Sequence, residues 1–472
     1  MSTVDFRPAQ AVDPFATIEA MGILLQRREI SSEELTTALL ARIRRLDGQL
    51  HAFTEISAQR AIASARRADA RRAGGDVGPL LGIPLAVKDN FDVAGQATCA
   101  GSLALDDRHP TRSANAVERL EAAGMVVLGR THMVEFAYGG WGTNPVRGAP
   151  RNPFDGTMHR VVGGSSSGSA VAVAAGFAPA ALGTDTGGSI RTPAAWCGIV
   201  GLKTSVGLVG RGGVVPLAPS HDSVGPMARS VRDAALLLQV LAGSDDRDPA
   251  TFTAPAVDAV GMIEDGILGA RIGVLPERDL AAVEAQVRRA YDQALLELSA
   301  LGARLRDMSL PLPMARYVKQ GNDIMGVESY ARLGIHVERS RDKVDPVIAG
   351  RILRGAGMAE ADYRRMLDAR RAAQAALAER MQGFDAFVLP GSHMLPIPLD
   401  EVDESRPPNL FGRMVNYLDL ASLCIPVGLA ETGLPTGLQI VVRKFDDAKA
   451  LRIGRAFERQ RGGLFSAPVA YL

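Results

Sequence analysis

Three short stretches of the sequence carry side chains that can do chemistry together. Lys88 follows the apolar run GIPLAV, serines crowd the segment 165–169, and a second glycine-serine cluster, GTDTGGSIRTP, follows at 183–193. A serine hydroxyl becomes a nucleophile when a neighbouring base removes its proton. Lysine is such a base when it is neutral, and burial favours the neutral form by lowering its pKa from about 10.4. The sequence thus contains the parts of a serine nucleophile with a lysine base.

Other interpretations of these stretches remain open at the level of local sequence. A flexible linker is disfavoured because apolar sequence lies on both sides of the serines. A phosphate-binding loop is disfavoured because a leucine separates the last glycine of GIVGLK from Lys203. GSSSG at 164–168 does fit G-x-S-x-G with Ser166 as the nucleophile, although a triad would then need Asp385 and His393. Lys88 is also compatible with a lysine at a strand end that extends to water.

The elements that must position these residues follow a simple order along the chain. Residues 14–75 are predicted to be helical, since SSEELTTALLARIRRL opens with a capping box of Ser31 and Glu34 and an Ala/Arg-rich helix spans 57–73. Segment 76–242 alternates short apolar strands with small-residue helices, and segment 271–382 is mainly helical. Segment 383–472 returns to strands at FDAFVLP and GLPTGLQIVV, with a helix predicted at 411–423. Because strands return after a helical excursion, we expect a single α/β domain over residues 1–472.

Composition narrows the class of function. The 472 residues are 47% hydrophobic, and 53 basic against 52 acidic residues leave a net charge of +1. This balance gives no electrostatic footprint for nucleic acid or an anionic membrane. The N-terminal sequence MSTVDFRPAQAV has no signal-peptide pattern, and no apolar run approaches the roughly 18 residues of a membrane helix. Three separated cysteines and scattered histidines indicate neither a disulfide framework nor a metal site. We therefore expect a cytoplasmic protein with no nucleic-acid or membrane partner, no metal and no cofactor.

The motifs resemble those of the amidase signature family. GIPLAVKDN at 82–90, GGSSSGSA at 163–170 and GTDTGGSIRTPAAWCGIVGLK at 183–203 carry the resemblance, which extends from about residue 14 to 460. It implies an open mixed sheet of about eleven strands, covered by helices on both faces. It also implies that Ser189 is the nucleophile, that Ser165 is a bridging serine preceded by a cis peptide bond, and that Lys88 is the general base.

Further site residues follow from the same resemblance. It implies an oxyanion hole formed by the backbone of Thr186, Gly187, Gly188 and Ser189. Ser166, Asp185 and Arg191 would hold the surrounding loops, although each is also compatible with an ordinary turn residue. The loop FAYGGWGTN at 136–144 would line the acyl pocket, together with a later helix. The substrate-binding candidates are Tyr138, Gly139, Gly140, Trp141 and Asn416, with simple packing as the alternative for the two aromatic residues.

The resemblance implies a hydrolase of carbon–nitrogen bonds. We expect a seryl acyl-enzyme acting on a small-molecule amide, carbamate or urea-like compound, in a protein that works alone as a homodimer. One alternative is the A subunit of a tRNA-dependent amidotransferase, which would act as a glutaminase. Arg413 and Asp419 would then bind glutamine, but Leu418, Leu420 and Leu423 instead predict a helix that faces the core. The other alternative is a member of the fold that binds a ligand or partner without catalysis.

Overall fold

One mixed β-sheet of eleven strands organises the molecule. The computed structural model describes residues 12–105, 107–468 and 471, so the N-terminal segment used for the signal-peptide prediction lies almost wholly outside the described residues. The strands are β1 Phe53–Ile56, β2 Pro84–Lys88, β3 Val126–Thr131, β4 Ala180–Asp185, β5 Val200–Lys203, β6 Ser223–Ala228, β7 Arg271–Val274, β8 Arg304–Asp307, β9 Ala386–Pro390, β10 Ala421–Leu429 and β11 Pro435–Val442.

Helices flank this sheet. Those in the described part of the chain are α1 Ile18–Gln26, α2 Ser32–Leu50, α3 Ala58–Ala73, α4 Asn115–Ala122, α5 Ser167–Ala174, α6 Arg191–Trp196, α7 Val231–Leu241, α8 Glu277–Leu280, α9 Ala285–Ala300, α10 Met314–Arg339, α11 Pro346–Leu353, α12 Glu360–Arg380, α13 Leu410–Tyr417 and α14 Asp447–Gln460. None of the helices described is long and apolar enough to cross a membrane.

The order of the strands mixes early and late parts of the sequence. It runs β1-β3-β2-β4-β6-β5-β10-β11-β9-β7-β8, so β10 and β11 lie between β5 and β9. β2 pairs in parallel with both β3 and β4, while β5, β6, β10 and β11 form an antiparallel centre. The predicted class, an eleven-stranded mixed α/β sheet with flanking helices, is confirmed.

Alternation along β2 shows how the core is divided. Leu85 and Val87 belong to the larger apolar cluster, whereas Ala86 between them belongs to a second cluster that includes the small residues of α5. Successive side chains of a strand point to opposite faces of the sheet, so both faces of β2 are covered. Lys88 is two residues after Ala86, so its side chain points to the same face of the sheet, the face that carries α5. For this reason Lys88 contacts the serine loop that precedes α5.

The helix predicted at 411–423 is wrong in its extent. Helix α13 ends at Tyr417, and the nine residues of β10 begin at Ala421. Leu423 is therefore a strand residue, while Leu418 and Leu420 lie in the short connection between the two elements. A short apolar run such as ASLCIPVGL suits a buried strand and a buried helix equally well, and periodicity alone does not separate them. The predicted capping box of Ser31 and Glu34 is present at the start of α2.

Candidate active site

Lys88 is the last residue of β2 and is completely buried. Its Nζ atom lies 2.8 Å from Ser165 Oγ, 3.0 Å from Ser166 Oγ and 2.7 Å from Thr184 Oγ1. Burial lowers the pKa of Lys88 to about 7, although the carboxylate of Asp185 acts in the opposite direction. At neutral pH a large share of this lysine is therefore uncharged and able to accept a proton.

The two serines next to Lys88 differ in what their hydroxyl protons can do. Ser166 Oγ lies 3.1 Å from the carbonyl oxygen of Thr184, to which it donates, and it accepts a hydrogen bond from the backbone N–H of Thr184. Among the described contacts, the hydroxyl of Ser165 has Lys88 as its one partner, and the Gly164–Ser165 peptide bond is cis, as expected. Ser165 can thus pass its proton to a neutral Lys88, whereas the proton of Ser166 is already engaged.

The turn at residues 186–189 follows the carboxyl end of β4. Because β2 and β4 are parallel neighbours, their carboxyl ends lie at the same edge of the sheet, which brings this turn to Lys88. Ser189 is only 3% exposed, and its carbonyl oxygen accepts a hydrogen bond from the backbone N–H of Ser166 at 3.1 Å. The serine cluster and the turn are therefore joined directly through their backbones.

Some backbone N–H groups of the turn are unpaired, whereas that of Gly188 is hydrogen-bonded. Asp185 accepts hydrogen bonds from the N–H of Gly188 at 2.9 Å and of Ile190 at 3.0 Å. The N–H groups of Thr186, Gly187 and Ser189 have no acceptor among the described residues. Gly188, one of the four predicted oxyanion-hole residues, thus has its N–H engaged by Asp185. Its role is conformational, since its φ of +112° is a value that other residues rarely adopt.

A buried ion pair fixes the shape of the turn. Arg191 donates to both carboxylate oxygens of Asp185, at 3.0 and 2.8 Å, and both side chains are fully buried. Although burial opposes ionisation, the charge of Arg191 and its hydrogen bonds hold the pKa of Asp185 well below its usual range. The Asn416 amide donates to Asp185 Oδ1 at 3.0 Å and accepts from Arg191 at 2.6 Å. Asn416, predicted to bind substrate, instead completes this network beneath the turn.

The predicted acyl-pocket loop divides into residues that line a cavity and residues that do not. Tyr138 and Gly139 line a cavity of about 640 Å³ together with Arg413. Trp141 instead packs against Trp196, with ring centroids 5.9 Å apart, and its Nε1 donates to the carbonyl oxygen of Asp403. Trp141 therefore has a packing role in the structure, which is the alternative considered for it.

Gly140 is likewise absent from the cavity lining. A side-chain atom on it would lie 2.4 Å from Asn409 Oδ1, and its carbonyl oxygen accepts from the N–H of Gly164 at 2.8 Å. A second cavity of about 480 Å³ has Thr184, Thr186 and Asp222 in its wall, so it reaches the end of β4 and the first residue of the turn. Its volume is sufficient for part of a substrate.

Two residues of the site were not predicted from the sequence. Thr184 contacts Lys88, and its position inside the motif GTDTGGS was the available signal. Arg413 was considered only for a glutamine pair, because an arginine inside an apolar helix gives no local sign of a cavity. The triad of the elbow interpretation is not assembled, since Asp385 accepts hydrogen bonds from Arg271 at the start of β7, and Ser166 is completely buried beside Lys88.

Comparison with known proteins identifies the family of this chain. The sequence profile of the family described as Amidase matches residues 34–451. The chain belongs to the amidase signature family. It is 40% identical over 461 residues to the A subunit of glutamyl-tRNA(Gln) amidotransferase from Roseiflexus sp. (strain RS-1), an alignment that covers 92% of this chain and 94% of the relative. As a member of the amidase signature family, the chain is a hydrolase of carbon–nitrogen bonds other than peptide bonds.

Solved structures of the amidase signature family resemble the whole chain. The peptide amidase from Stenotrophomonas maltophilia superposes with a TM-score of 0.87 at 33% identity, covering 98% of this chain and 99% of that one. A chain of a vestigial protein complex related to the origins of an s-triazine catabolic enzyme gives a TM-score of 0.89 at 30% identity, covering 96% and 100%. The resemblance seen in the motifs thus extends to the complete fold.

These relatives correct the expectation about partners. The relative from Roseiflexus is by name one subunit of an enzyme that acts on glutamyl-tRNA(Gln), so it works with other subunits and with tRNA. A homodimer that acts on a free small molecule, without nucleic acid, was therefore the wrong expectation. A net charge of +1 does not exclude a tRNA-dependent complex, because other subunits of such a complex can make the tRNA contacts.

Proposed function

We propose that this protein releases ammonia from an amide through Ser189, Ser165 and Lys88, and that it does so as the A subunit of a tRNA-dependent amidotransferase with glutamine as the amide donor. The observation that carries the chemistry is the buried Lys88, 2.8 Å from Ser165 Oγ and next to a turn with unpaired N–H groups. Its pKa of about 7 supports a general base that operates at neutral pH.

The proposed reaction has the following steps. Ser189 Oγ attacks the amide carbon while its proton passes to Ser165, whose own proton passes to Lys88 Nζ. The new C–O bond creates an oxyanion, which accepts hydrogen bonds from the unpaired N–H groups of the turn. Lys88 then returns the proton through Ser165 to the nitrogen, the C–N bond breaks and ammonia leaves. A water molecule repeats the sequence on the acyl-enzyme and releases the acid.

The role as the A subunit of an amidotransferase is supported by the similarity over almost the full length of the Roseiflexus relative. A second candidate substrate, an amide that carries a carboxylate but no ammonium group, is favoured by one observation. Asp419, considered as the partner of the glutamine ammonium group, has its Oδ2 atom 2.7 Å from Lys444 Nζ and does not line the cavity of Tyr138 and Arg413. Glutamine would have to place its ammonium group against another acceptor.

The test measures ammonia release from glutamine by the purified chain alone, and then with amidotransferase partner subunits and glutamyl-tRNA(Gln). We expect glutamine hydrolysis that rises in the complete assembly and disappears in Ser189→Ala. Release of ammonia from glutarate monoamide but not from glutamine, with no response to the partner subunits, would support the second candidate and reject the first.

A further inference from the structure

The carboxylate of Asp222 connects two parts of the active-site region. Asp222 immediately precedes β6, and its Oδ2 atom accepts hydrogen bonds from the backbone N–H groups of Leu217 and Ala218, at 2.9 and 3.0 Å. Its Oδ1 atom lies 2.5 Å from the hydroxyl oxygen of Thr186, which donates to it. One side chain thus ties the loop before β6 to the first residue of the turn.

Thr186 has a backbone N–H that is free to act on a substrate. This N–H has no acceptor among the described residues, so it is available to an oxyanion. Thr186 is only 2% exposed, and Asp222 is the one hydrogen-bond partner of its hydroxyl in the described part of the chain. Because the side chain of threonine is stiff about its first torsion angle, holding the hydroxyl restricts the direction of the N–H.

The rest of the turn is held by other groups. The carboxylate of Asp185 accepts from the N–H of Gly188 at 2.9 Å, and the hydroxyl of Ser223 donates to the carbonyl oxygen of Asp185 at 3.1 Å. Neither contact involves Thr186. Loss of the contact with Asp222 should therefore release the first residue of the turn and leave the network of Asp185 in place.

The negative charge of Asp222 has no salt-bridge partner among the described residues. The guanidinium group of Arg211 donates to the backbone carbonyl oxygen of Asp222 at 3.2 Å but forms its salt bridge with Asp248. Burial raises the pKa of Asp222, while the hydrogen bond from Thr186 and the charge of Arg211 lower it. The charge of Glu328 acts in the same direction as burial. The carboxylate is thus a charged group beside the turn and not only a hydrogen-bond acceptor.

We propose that Asp222 is a positioning residue of the active site, which holds Thr186 so that its N–H donates to the oxyanion and whose negative charge acts on Lys88. The inference rests on the proposed reaction at Ser189 and adds a group that acts on it through the turn. The N–H groups of the turn stabilise the oxyanion of the transition state more than the carbonyl group of the bound amide. A weakened contact should therefore lower kcat and leave KM nearly unchanged.

The first experiment removes the contact from either side. Thr186→Val replaces the hydroxyl by a methyl group, and we expect kcat for ammonia release from glutamine or glutarate monoamide to fall by about 10- to 100-fold with KM nearly unchanged. Thr186→Ser should recover most of kcat because it keeps the hydroxyl. Asp222→Ala should lose at least as much as Thr186→Val, and the double variant should be no slower than Asp222→Ala alone, because both changes remove the same contact. Losses that multiply in the double variant would overturn the inference.

Asp245→Asn is the matched control. The carboxylate of Asp245 also accepts from two backbone N–H groups, those of Gly212 at 2.8 Å and Arg247 at 3.1 Å, and both of these residues line the same 480 Å³ cavity. None of the described hydrogen bonds joins Asp245 to the turn. We expect Asp245→Asn to keep the kcat of the wild type. An equal loss of kcat in Asp245→Asn and Thr186→Val would show that any damage to the cavity wall lowers activity, and the proposed role of Asp222 would be wrong.

The second experiment tests the charge. Asp222→Asn can keep the contacts, because its amide oxygen can accept from the N–H groups of the loop while its amide nitrogen donates to the hydroxyl oxygen of Thr186. The carboxylates of Asp185 and Asp222 raise the pKa of Lys88, so removing one of them lowers this pKa. We expect the acidic limb of the kcat/KM profile to move to lower pH in Asp222→Asn and to stay in place in Thr186→Val and Asp245→Asn. A limb that does not move in Asp222→Asn would leave Asp222 a structural residue only and would reject the inference.

The third experiment separates this inference from the proposed function. A fluorophosphonate modifies an active serine without any amide substrate, and its phosphoryl oxygen occupies the place of the oxyanion. We expect Ser189 to be labelled at least about tenfold more slowly in Thr186→Val and Asp222→Ala than in the wild type and Asp245→Asn. Equal labelling rates in the four proteins would reject the role of Asp222 even if glutamine is hydrolysed. Slower labelling of the two variants, in a wild type that hydrolyses neither amide, would reject the hydrolytic function alone, and absence of labelling at Ser189 would reject both.

Discussion

At the scale of single residues, the site depends on how one lysine is surrounded. Lys88 donates to three hydroxyl groups, and no carboxylate of the described residues lies within hydrogen-bond distance of it, so its environment solvates the neutral amine without strongly favouring the ammonium ion. A carboxylate at hydrogen-bond distance would raise its pKa and remove the base. The carboxylates of Asp185 and Asp222 raise the pKa of Lys88, but burial lowers it by more.

The pH dependence of catalysis tests this environment. Lys88 accepts a proton only when neutral, so kcat/KM should rise about tenfold per pH unit at acidic pH and level off above its pKa of about 7. The measurement is a kcat/KM profile between pH 5 and 9, restricted to conditions in which circular dichroism shows the folded protein. Lys88→Met should keep the fold and lose activity by at least 10²- to 10⁴-fold. A rate that stays constant from pH 5.5 to 8 would exclude Lys88 as the base.

Chemical labelling distinguishes the two candidate nucleophiles, Ser189 and Ser166. We expect a fluorophosphonate to modify Ser189, because the hydroxyl of Ser166 is completely buried and donates to the carbonyl oxygen of Thr184. Ser166→Ala should still be labelled and should lose roughly fivefold in activity, which corresponds to one hydrogen bond of about 1 kcal/mol to Lys88. Peptide mass spectrometry locates the adduct. An adduct on Ser166, or normal turnover by Ser189→Ala, would contradict the assignment.

The motifs predicted that Lys88, Ser165 and the turn with Ser189 lie together, but they predicted neither the contact of Thr184 with Lys88 nor how each residue is used. Lys88, Ser165 and Ser166 do meet at hydrogen-bond distance, and the turn that carries Ser189 lies beside them. The engagement of the Gly188 N–H by Asp185 was not predictable, because it depends on the orientation of one carboxylate. Asn416 was predicted to bind substrate, and its hydrogen bonds to Asp185 and Arg191 were likewise not predictable.

At the scale of elements, the contact between α13 and the turn controls the geometry of the site. Gly412 lies so close to the turn that a side-chain atom on it would be 2.5 Å from the carbonyl oxygen of Gly187 and 2.7 Å from Gly188 Cα. The carbonyl oxygen of Gly412 also accepts a hydrogen bond from Arg191 at 3.2 Å. The helix therefore presses directly on the backbone that would hold the oxyanion.

Replacing Gly412 by alanine should disturb that contact. We expect Gly412→Ala to push α13 away from the turn, to destabilise the protein by about 1–3 kcal/mol and to lower kcat/KM by about 100-fold, since small displacements of catalytic groups are costly. Gly326→Ala in α10 is the matched control, because an added side chain there meets nothing within 4 Å. It should leave activity unchanged and stabilise the helix by about 1 kcal/mol. Similar kinetics for the two variants would show that the contact does not position the turn.

Elements with local signals were predicted better than elements defined by their neighbours. The capping box at α2, and the strands β9 and β11, were recognisable because helix caps and short bounded apolar runs act within a few residues. The predicted helix included the first three residues of β10, and the rest of β10 was not predicted, since its partner β5 lies far away in the sequence. Long-range pairing of this kind leaves no periodicity in the segment itself.

At the scale of the whole molecule, late parts of the chain complete the catalytic part. β10 pairs with β5, Arg191 contacts Gln439 at 2.9 Å, and the carboxylate of Asp447 accepts from Ser205 at 2.6 Å. These contacts connect the motif region with the last sixty residues of the sequence. We propose on this basis that the chain is one folding unit and not a catalytic domain with an independent C-terminal domain.

Dividing the chain tests that proposal. Fragments 1–262 and 263–472 separate β6 from β7 next to Met262, which is 55% exposed. We expect each fragment alone to be inactive and to lack cooperative unfolding, because β5 would expose the edge that β10 covers. Co-expression of the two fragments should restore part of the activity, as measured by ammonia release. An N-terminal fragment that folds and labels at Ser189 by itself would show that the catalytic part is independent.

The cavity described above has a consequence for how such enzymes diverge. The proposed bond-breaking groups all come from residues 88–189, whereas much of the cavity wall comes from the later segments 322–354 and 403–413. Mutations can therefore accumulate in the later segments and change which acyl group is admitted, while the inherited chemistry stays intact. One ancestral reaction can in this way be adapted to many metabolites by replacing only its recognition surface. A peptide amidase and a component of an amidotransferase, related to this chain at 33% and 40% identity, are products that such a history would leave.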